Sequence, residues 1–316
     1  MTCLAAVPAL AGASWSVVSS PNHGTADGLL GVSCASRNFC IAVGQASNQP
    51  LVETWHGHTW TITSSPKEPS ASELTDVDCL STTMCWALGT SRGGSLLERW
   101  NGVVWRVVNL PPGRFTLQSV SCSSSSFCVA VGAAGLTSEV MFWRGVRWNV
   151  AYMKNGLDKV SCVSKSFCEA VGWSATHPIY AETWDGSRWV ASSQPVSASH
   201  SYFNGVACWS TDGCIAVGGG ALAETWNGHQ WSVHDARPKG AYADLYGVAC
   251  LDAHECIAVG DELGRTLITD WNGRVWQVEA APQPGGGSQF NAVAVVGGLD
   301  VAAGARNGRR TLIEQR

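Results

Sequence analysis

An all-β ring of seven four-stranded sheets is the fold this sequence predicts, and three observations predict it. A two-tryptophan motif recurs with its first member at Trp55, Trp100, Trp143, Trp184, Trp226 and Trp271, at spacings of 45, 43, 41, 42 and 45 residues. Twelve of the 13 cysteines fall into six pairs, each with five residues between its members. Finally, Trp15-Ser-Val-Val-Ser-Ser-Pro21 nearly copies Trp60-Thr-Ile-Thr-Ser-Ser-Pro66 but has no complete unit before it. The last unit stops at Leu312-Ile-Glu-Gln-Arg316, where the earlier ones run on into such a strand. A period of about 40 to 46 residues with four short strands per unit is the signature of a β-propeller blade. Pairing the orphan first strand with the last three strands closes the ring.

Each element of the unit has its own reason. Strand A carries Val-x-Cys. Strand B carries Ala-Val-Gly, as in Ile41-Ala-Val-Gly44, Ile215-Ala-Val-Gly218 and Ile257-Ala-Val-Gly260; consecutive apolar positions fit a strand buried on both faces. Its Val and Ile give a bulky face and its Ala and Gly a small one, so neighbouring blades are expected to pack large against small. Strands C and D meet at Asn101-Gly102, Asp185-Gly186, Asn227-Gly228 or Asn272-Gly273, read as two-residue turns with positive φ. That register sets Trp100 opposite Val103 and Trp105 opposite Glu98. His56-Gly57 and Arg144-Gly145 read as poorer turn formers. The blades are expected at 29–66, 74–111, 117–153, 157–195, 203–237, 245–282, and 290–316 completed by 15–20, within a single domain over 14–316.

The cysteines sit at the end of A and the start of B, within disulfide reach across one ladder. The expected bridges are Cys34–Cys40, Cys79–Cys85, Cys122–Cys128, Cys162–Cys168, Cys208–Cys214 and Cys250–Cys256. Two thiolates per site, with no recurring C-x-x-C or His pair, make a poor metal centre, so no metal or cofactor is expected. The seventh unit has Val295 and Asp300 at the cysteine positions. Paired cysteines point to an oxidising compartment. The apolar segment 1–13, ending in Ala11-Gly-Ala13, reads as the remnant of a signal peptide whose removal would take the odd Cys3 with it. The protein is therefore expected outside the cytoplasm, secreted or at the cell surface.

Charged residues make up 14% of the chain and the net charge is −4; without a basic block, nucleic acid is not an expected partner. No apolar run approaches the roughly 20 residues that span a membrane.

The layout over residues 15–316 resembles the seven-bladed propellers of secreted bacterial proteins. Its W-N/D-G-x-x-W hairpin is similar to the Asp-box of sialidase-type propellers, but lacks the extra residue between acid and glycine and the Ser or Thr before them. The resemblance implies a fold and carries over no activity. Glu53, Glu98, Glu182, Glu224 and Glu314 each stand two residues before the Trp position. Fungal fucose-binding propellers hold sugars between blades with Glu, Arg and Trp. Here no Arg recurs, so a structural role, accepting hydrogen bonds from Trp N–H or backbone groups, is the expected one.

Loop lengths point to one face. The A–B and C–D connections are short and emerge together; the B–C and D–A connections vary and emerge on the opposite side, where a binding site is expected. Three groups on that side are candidates. Trp173, His177 and Tyr180 follow strand B of blade 4, and His200 and Tyr202 precede blade 5; aromatic bodies with polar tips suit a sugar or a peptide. An acidic-aromatic rim contains Asp261 with Asp244 and Tyr242. Asp158, Asn204, Tyr246 and Asn291 start their A strands near the channel mouth. Each has an ordinary counterpart as a solvated or water-binding residue. The expected function is a binding or scaffold module for a cell-surface glycan or protein. The alternative is an extracytoplasmic hydrolase or lyase using His177 and His200, which no nucleophile, metal or paired-carboxylate motif supports.

Overall fold

The computed structural model describes residues 14–316 apart from 25, 69–70, 93, 112–115, 135, 176, 178, 193–201, 237–241 and 286. The expected leader, with Cys3, lies outside the described residues, as does His200. Seven antiparallel four-stranded sheets form the blades, and each has strands A to D in chain order from the channel outward. In blade 1 these are Asp27–Ser36, Phe39–Ala46, Gln49–Trp55 and Trp60–Ile62.

The ring closes as the orphan strand requires. Blade 7 takes Ser288–Val296, Leu299–Arg306 and Arg310–Gln315 from the end of the chain and Ser16–Val18 from its beginning. Ser16, Val17 and Val18 lie opposite Gln315, Glu314 and Ile313. Arg316 occupies the seventh position of the first Trp. Its guanidinium stands 5.1 Å from the centre of the Trp15 ring, 2.9 Å from Asp300 of its own blade and 2.6 Å from Asp270 of blade 6. A cation replaces an indole and ties two blades through their carboxylates.

All six expected disulfides are present, each joining residues directly opposite on strands A and B with Cα atoms 3.9–4.0 Å apart. In blade 7, Val295 faces Asp300 instead.

The glycine of Ala-Val-Gly has a different cause from the expected one. Strand A shifts register opposite it, between Leu29 and Gly31 in blade 1 and between Leu245 and Gly247 in blade 6. The bulge drives a strand A carbonyl into the glycine. A Cβ on Gly44 would lie 1.9 Å from the Gly28 oxygen, and one on Gly260 would lie 1.8 Å from the Asp244 oxygen. The small residue therefore accommodates its own blade's bulge, a close backbone approach that only glycine permits.

The C–D register also corrects the expected one. Trp100 faces Trp105, and Glu98 faces Val107. The two-residue loop is Gly102-Val103, with Asn101 N–H donating to Val104 O at 3.4 Å. Gly102 has φ +94°, which suits a II′ turn with glycine at its first central position. Asn101 precedes the loop, and its side-chain oxygen accepts the N–H groups of Val103 and Val104 at 3.0 and 2.9 Å. Asp185, Asn227 and Asn272 do the same. His56 and Arg144 forgo that bond but keep the glycine, so their hairpins close on the same pattern. The facing indoles pack tilted, 5.5–6.0 Å apart in six blades. The first indole's N–H donates to a carbonyl of the A–B turn at 3.0–3.2 Å in five of them.

The recurring glutamates are structural, and where Glu53, Glu98 and Glu182 have donors these are hydroxyls and one side-chain amide rather than indoles. Ser20 Oγ lies 2.9 Å from Glu53 Oε2, and Ser65 Oγ lies 2.9 Å from both oxygens of Glu98. Each serine stands five residues after the second Trp of one blade and serves the glutamate of the next. Where that position is Leu110, its counterpart is Met141, and the two share an apolar cluster. Where it is Met153, Glu182 takes Tyr180 and Asn155 as donors at 2.9 and 3.1 Å. Where it is Ala281, Glu314 is fully buried and neither of its carboxylate oxygens has a partner among the described residues.

Three expectations follow. Lacking a disulfide and stitched from both ends of the chain, blade 7 will lose amide protection before the others when hydrogen exchange is followed by mass spectrometry. Arg316→Ala, which leaves Asp270 and Asp300 without their cation, will lower the first unfolding transition by about 2 kcal/mol in urea titration. The third expectation concerns pH. Burial pushes the carboxyls of Glu53 and Glu314 up to about 8 and that of Glu98 up to about 7. Below the ordinary carboxylate range, folded and unfolded chains both hold these protons. As pH rises, the unfolded chain releases them first, so stability falls from about pH 4.5 until the folded carboxyls ionise near 7–8. Melting temperature will therefore drop between pH 5 and 8. Glu314→Gln will flatten that slope, and Ala281→Ser, by giving the Glu314 carboxylate a hydroxyl donor of the kind that holds Glu53 and Glu98 down, will end the drop at lower pH.

Candidate functional site

A channel of about 300 Å³ runs through the ring and is walled by strand A segments of all seven blades. Strand A is the inner edge of every sheet, so one row of its backbone groups faces the channel unpaired by its own blade. Short polar side chains on one blade bond to the next blade's row. Ser33, Asp78, Ser121 and Ser161 each accept the N–H of the following blade's first cysteine, at 2.5–3.0 Å. Asp76 accepts Val120 N–H at 2.9 Å. In blades 5 to 7 the matching positions are Ala207, Ala249 and Ala294, and in blades 5 and 7 an asparagine at the bulge makes the link to the next blade instead. Asn204 donates to Leu245 O at 2.9 Å, and Asn291 donates to Leu29 O at 2.7 Å.

The channel is consequently lopsided. Blades 2 to 4 present Asp76, Asp78, Lys159 and serines; blades 5 to 7 present glycine, alanine and valine, with Asn204, Tyr246 and Asn291 at the bulges. Burial pushes the Asp76 and Asp78 carboxyls up, Asp78 to about 7. Neither aspartate stands out in the sequence, because the Val-x-Cys pattern identifies strand A without saying which of its alternate side chains meets the next blade.

The expected site residues separate into distinct places. Asp158 is the bulged residue of blade 4, between Leu157 and Lys159. The Trp173 side chain hydrogen-bonds to its carboxyl, whose affinity for a proton burial nonetheless raises. Trp173 also lies across Gly156. His177 is exposed, and its loop is held by its N–H donating to Ser174 Oγ at 3.0 Å. Tyr180 is buried, and its hydroxyl donates to Glu182 within the blade.

Blades 5 and 6 bring the remaining residues together at the channel mouth. Tyr202 is half exposed and lies against Gly219, where a Cβ would come within 2.8 Å of its ring. The B–C connection beneath it is a single 3-10 turn, Gly219–Ala221, with Gly220 at φ +69°. Gly220 N–H donates to Asp244 Oδ1 at 2.8 Å. Tyr246 donates its hydroxyl to Asp261 Oδ1 at 2.8 Å, and Asp261 Oδ2 accepts Gly264 N–H at 2.9 Å. Burial, with Asp244 nearby, raises the Tyr202 hydroxyl above its usual range. Burial and Asp261 act alike on Tyr246, which also feels Asp244 and Tyr202. Tyr242, two residues before Asp244 in the chain, is almost fully exposed. The result is a shallow platform of tyrosine rings with two oriented carboxylates, open to the channel and to solvent. Two expected groups, the acidic-aromatic rim and part of the channel mouth, are therefore one site, which Asn204 borders.

Among the described residues, no helix is long and apolar enough to cross a membrane. No family model matches the chain, and no curated protein matches it. Solved structures do. YCF48 bound to D1 peptide aligns with a TM-score of 0.70 at 13% identity, over 98% of this chain and 99% of that one. YCF48 from Cyanidioschyzon merolae aligns with a TM-score of 0.67 at 15% identity, over 96% and 98%. The WD40 β-propeller domain of Doa1 aligns with a TM-score of 0.71 at 11% identity, over 97% and 98%. At such identities the likeness is one of architecture and does not single out propellers of the secreted bacterial type. The chain is a seven-bladed, four-stranded β-propeller closed by its N-terminal strand.

Proposed function

We propose that this propeller is an extracytoplasmic binding module that takes a protein segment or a glycan of the cell surface on the blade 5–6 platform. The observation that carries the reading is the placement of Tyr202, exposed over a glycine turn, beside the Tyr246–Asp261 pair and Asp244 at the channel mouth. Flat aromatic surface offers stacking at small conformational cost, and fixed carboxylates accept hydrogen bonds or pair with a cation. A sugar ring meets both demands, and so does a segment carrying Arg or Lys. The six disulfides support the compartment assignment, since such bridges persist where the surroundings are oxidising. Among the structurally similar propellers, YCF48 is seen bound to a D1 peptide.

Arrays of glycans and of basic peptides probed with the intact protein will give a ligand, and Tyr202→Ala and Tyr246→Phe will each weaken it at least about tenfold, the loss of one or two good contacts. Tyr202 is half exposed, so its replacement will leave the melting temperature nearly unchanged. Full-strength binding by both variants would remove the platform from the function.

A further inference from the structure

The outer edge of blade 3 differs from the other six. Strand D is the outer edge of every sheet, and such an edge invites another strand unless it is short, charged or stopped by proline. Six of the seven units follow the second Trp with a proline six or seven residues on: Pro21, Pro66, Pro111, Pro195, Pro238 and Pro282. Strand D is only three residues long in blades 1, 2, 4, 6 and 7. In blade 5 it is five residues long, but it ends on His234 and Asp235.

Blade 3 has neither safeguard. After Trp148 the chain runs through Asn-Val-Ala-Tyr-Met153 to Lys154-Asn155-Gly156 without a proline. Its strand D covers six residues, Trp148–Met153, paired along Ser138–Trp143. The strand is held from both sides: Trp148 and Val150 pack with blade 2, and Ala151 and Met153 with blade 4. Arg144 N–H donates to Arg147 O, which makes Phe142 and Asn149 the next hydrogen-bonded pair. The backbone groups of Trp148 and Val150 therefore point away from the sheet.

Charge selects the occupant. The strand itself is uncharged, and exposed Arg147 and Lys154 stand just beyond its two ends. A second copy pairing antiparallel about Val150 would bring Arg147 of each chain to the end where the other carries Lys154, and like charges across a ladder destabilise it. A strand with a carboxylate at each end would meet a cation at both. We infer that blade 3 captures an extended partner segment by strand addition, the segment having alternating β-branched residues with Asp or Glu at both ends.

The test is selection of a displayed random heptapeptide library against the intact protein, compared with Val150→Pro and with the double variant Arg147→Glu, Lys154→Glu. Val150→Pro removes an outward N–H and leaves the pairing with strand C in place. Acid-ended, β-branched peptides should be enriched on the wild type, lost on Val150→Pro, and replaced by Lys- or Arg-ended peptides on the charge-reversed protein. Should Val150→Pro fail to fold, the charge reversal alone decides. Tyr202→Ala should leave the enrichment intact, which separates this edge from the platform of blades 5 and 6. Enrichment indifferent to both sets of changes, or none at all, would overturn the inference. So would light scattering that shows a dimer abolished by Val150→Pro, which would give the edge to a second copy.

Discussion

One short ladder sets the geometry of everything else. Three residues, Ser16–Val18, lie against Ile313–Gln315 and turn a row of sheets into a circle. A row of blades would leave the first and last each with an apolar face open to water, whereas the closed ring gives every face a neighbour. Trp15 illustrates the point: it is buried in the cluster formed by Ile257 and Ile268 of blade 6 and Leu312 of blade 7, although it comes from the opposite end of the sequence. The platform on blades 5 and 6 and the edge of blade 3 both inherit their positions from this closure.

A second constraint works inside the ring. Seven inner edges converge on the channel, and their backbone groups need partners that their own sheets do not supply. Serine, aspartate and asparagine side chains reach from one blade to the next and meet part of that need. Among the described residues, six of the seven blade junctions are thus joined at two radii, by hydrogen bonds along the channel and by apolar packing farther out. Where the inner bond is made by asparagine at the bulge, the strand below is free to be alanine and glycine, and the channel has one charged wall and one uncharged wall.

Much of this was legible in the sequence because repetition averages over local noise. The orphan Trp15 strand gave the closure, and the constant five-residue spacing gave the bridges. Features that depend on direction were harder to read. Asn101 looked like a left-handed turn residue but is the acceptor just before the turn, because glycine supplies the positive φ. The glycine of Ala-Val-Gly looked like a packing choice but answers a bulge on the adjoining strand, and nothing in strand B announces that bulge. Tyr180 looked like a loop aromatic; one residue of register takes its hydroxyl inside to Glu182. Asp158 and Trp173 belonged to separate candidate groups, and the blade 4 bulge makes them neighbours. The Ser–Glu matching was present in the text of the repeat, in Ser20 and Ser65, but only the stagger of one blade against the next shows which glutamate each serine serves.

The disulfides also bear on how the molecule is made. Every bridge joins cysteines six positions apart, while the gap from one pair to the next, such as Cys40 to Cys79, is 39. Closing the shorter loop is favoured by chain entropy roughly tenfold over linking neighbouring pairs. Oxidation can therefore proceed pair by pair as synthesis delivers each blade, with little reshuffling. The price is that every staple lies within its own sector, so no covalent bond guards the seam.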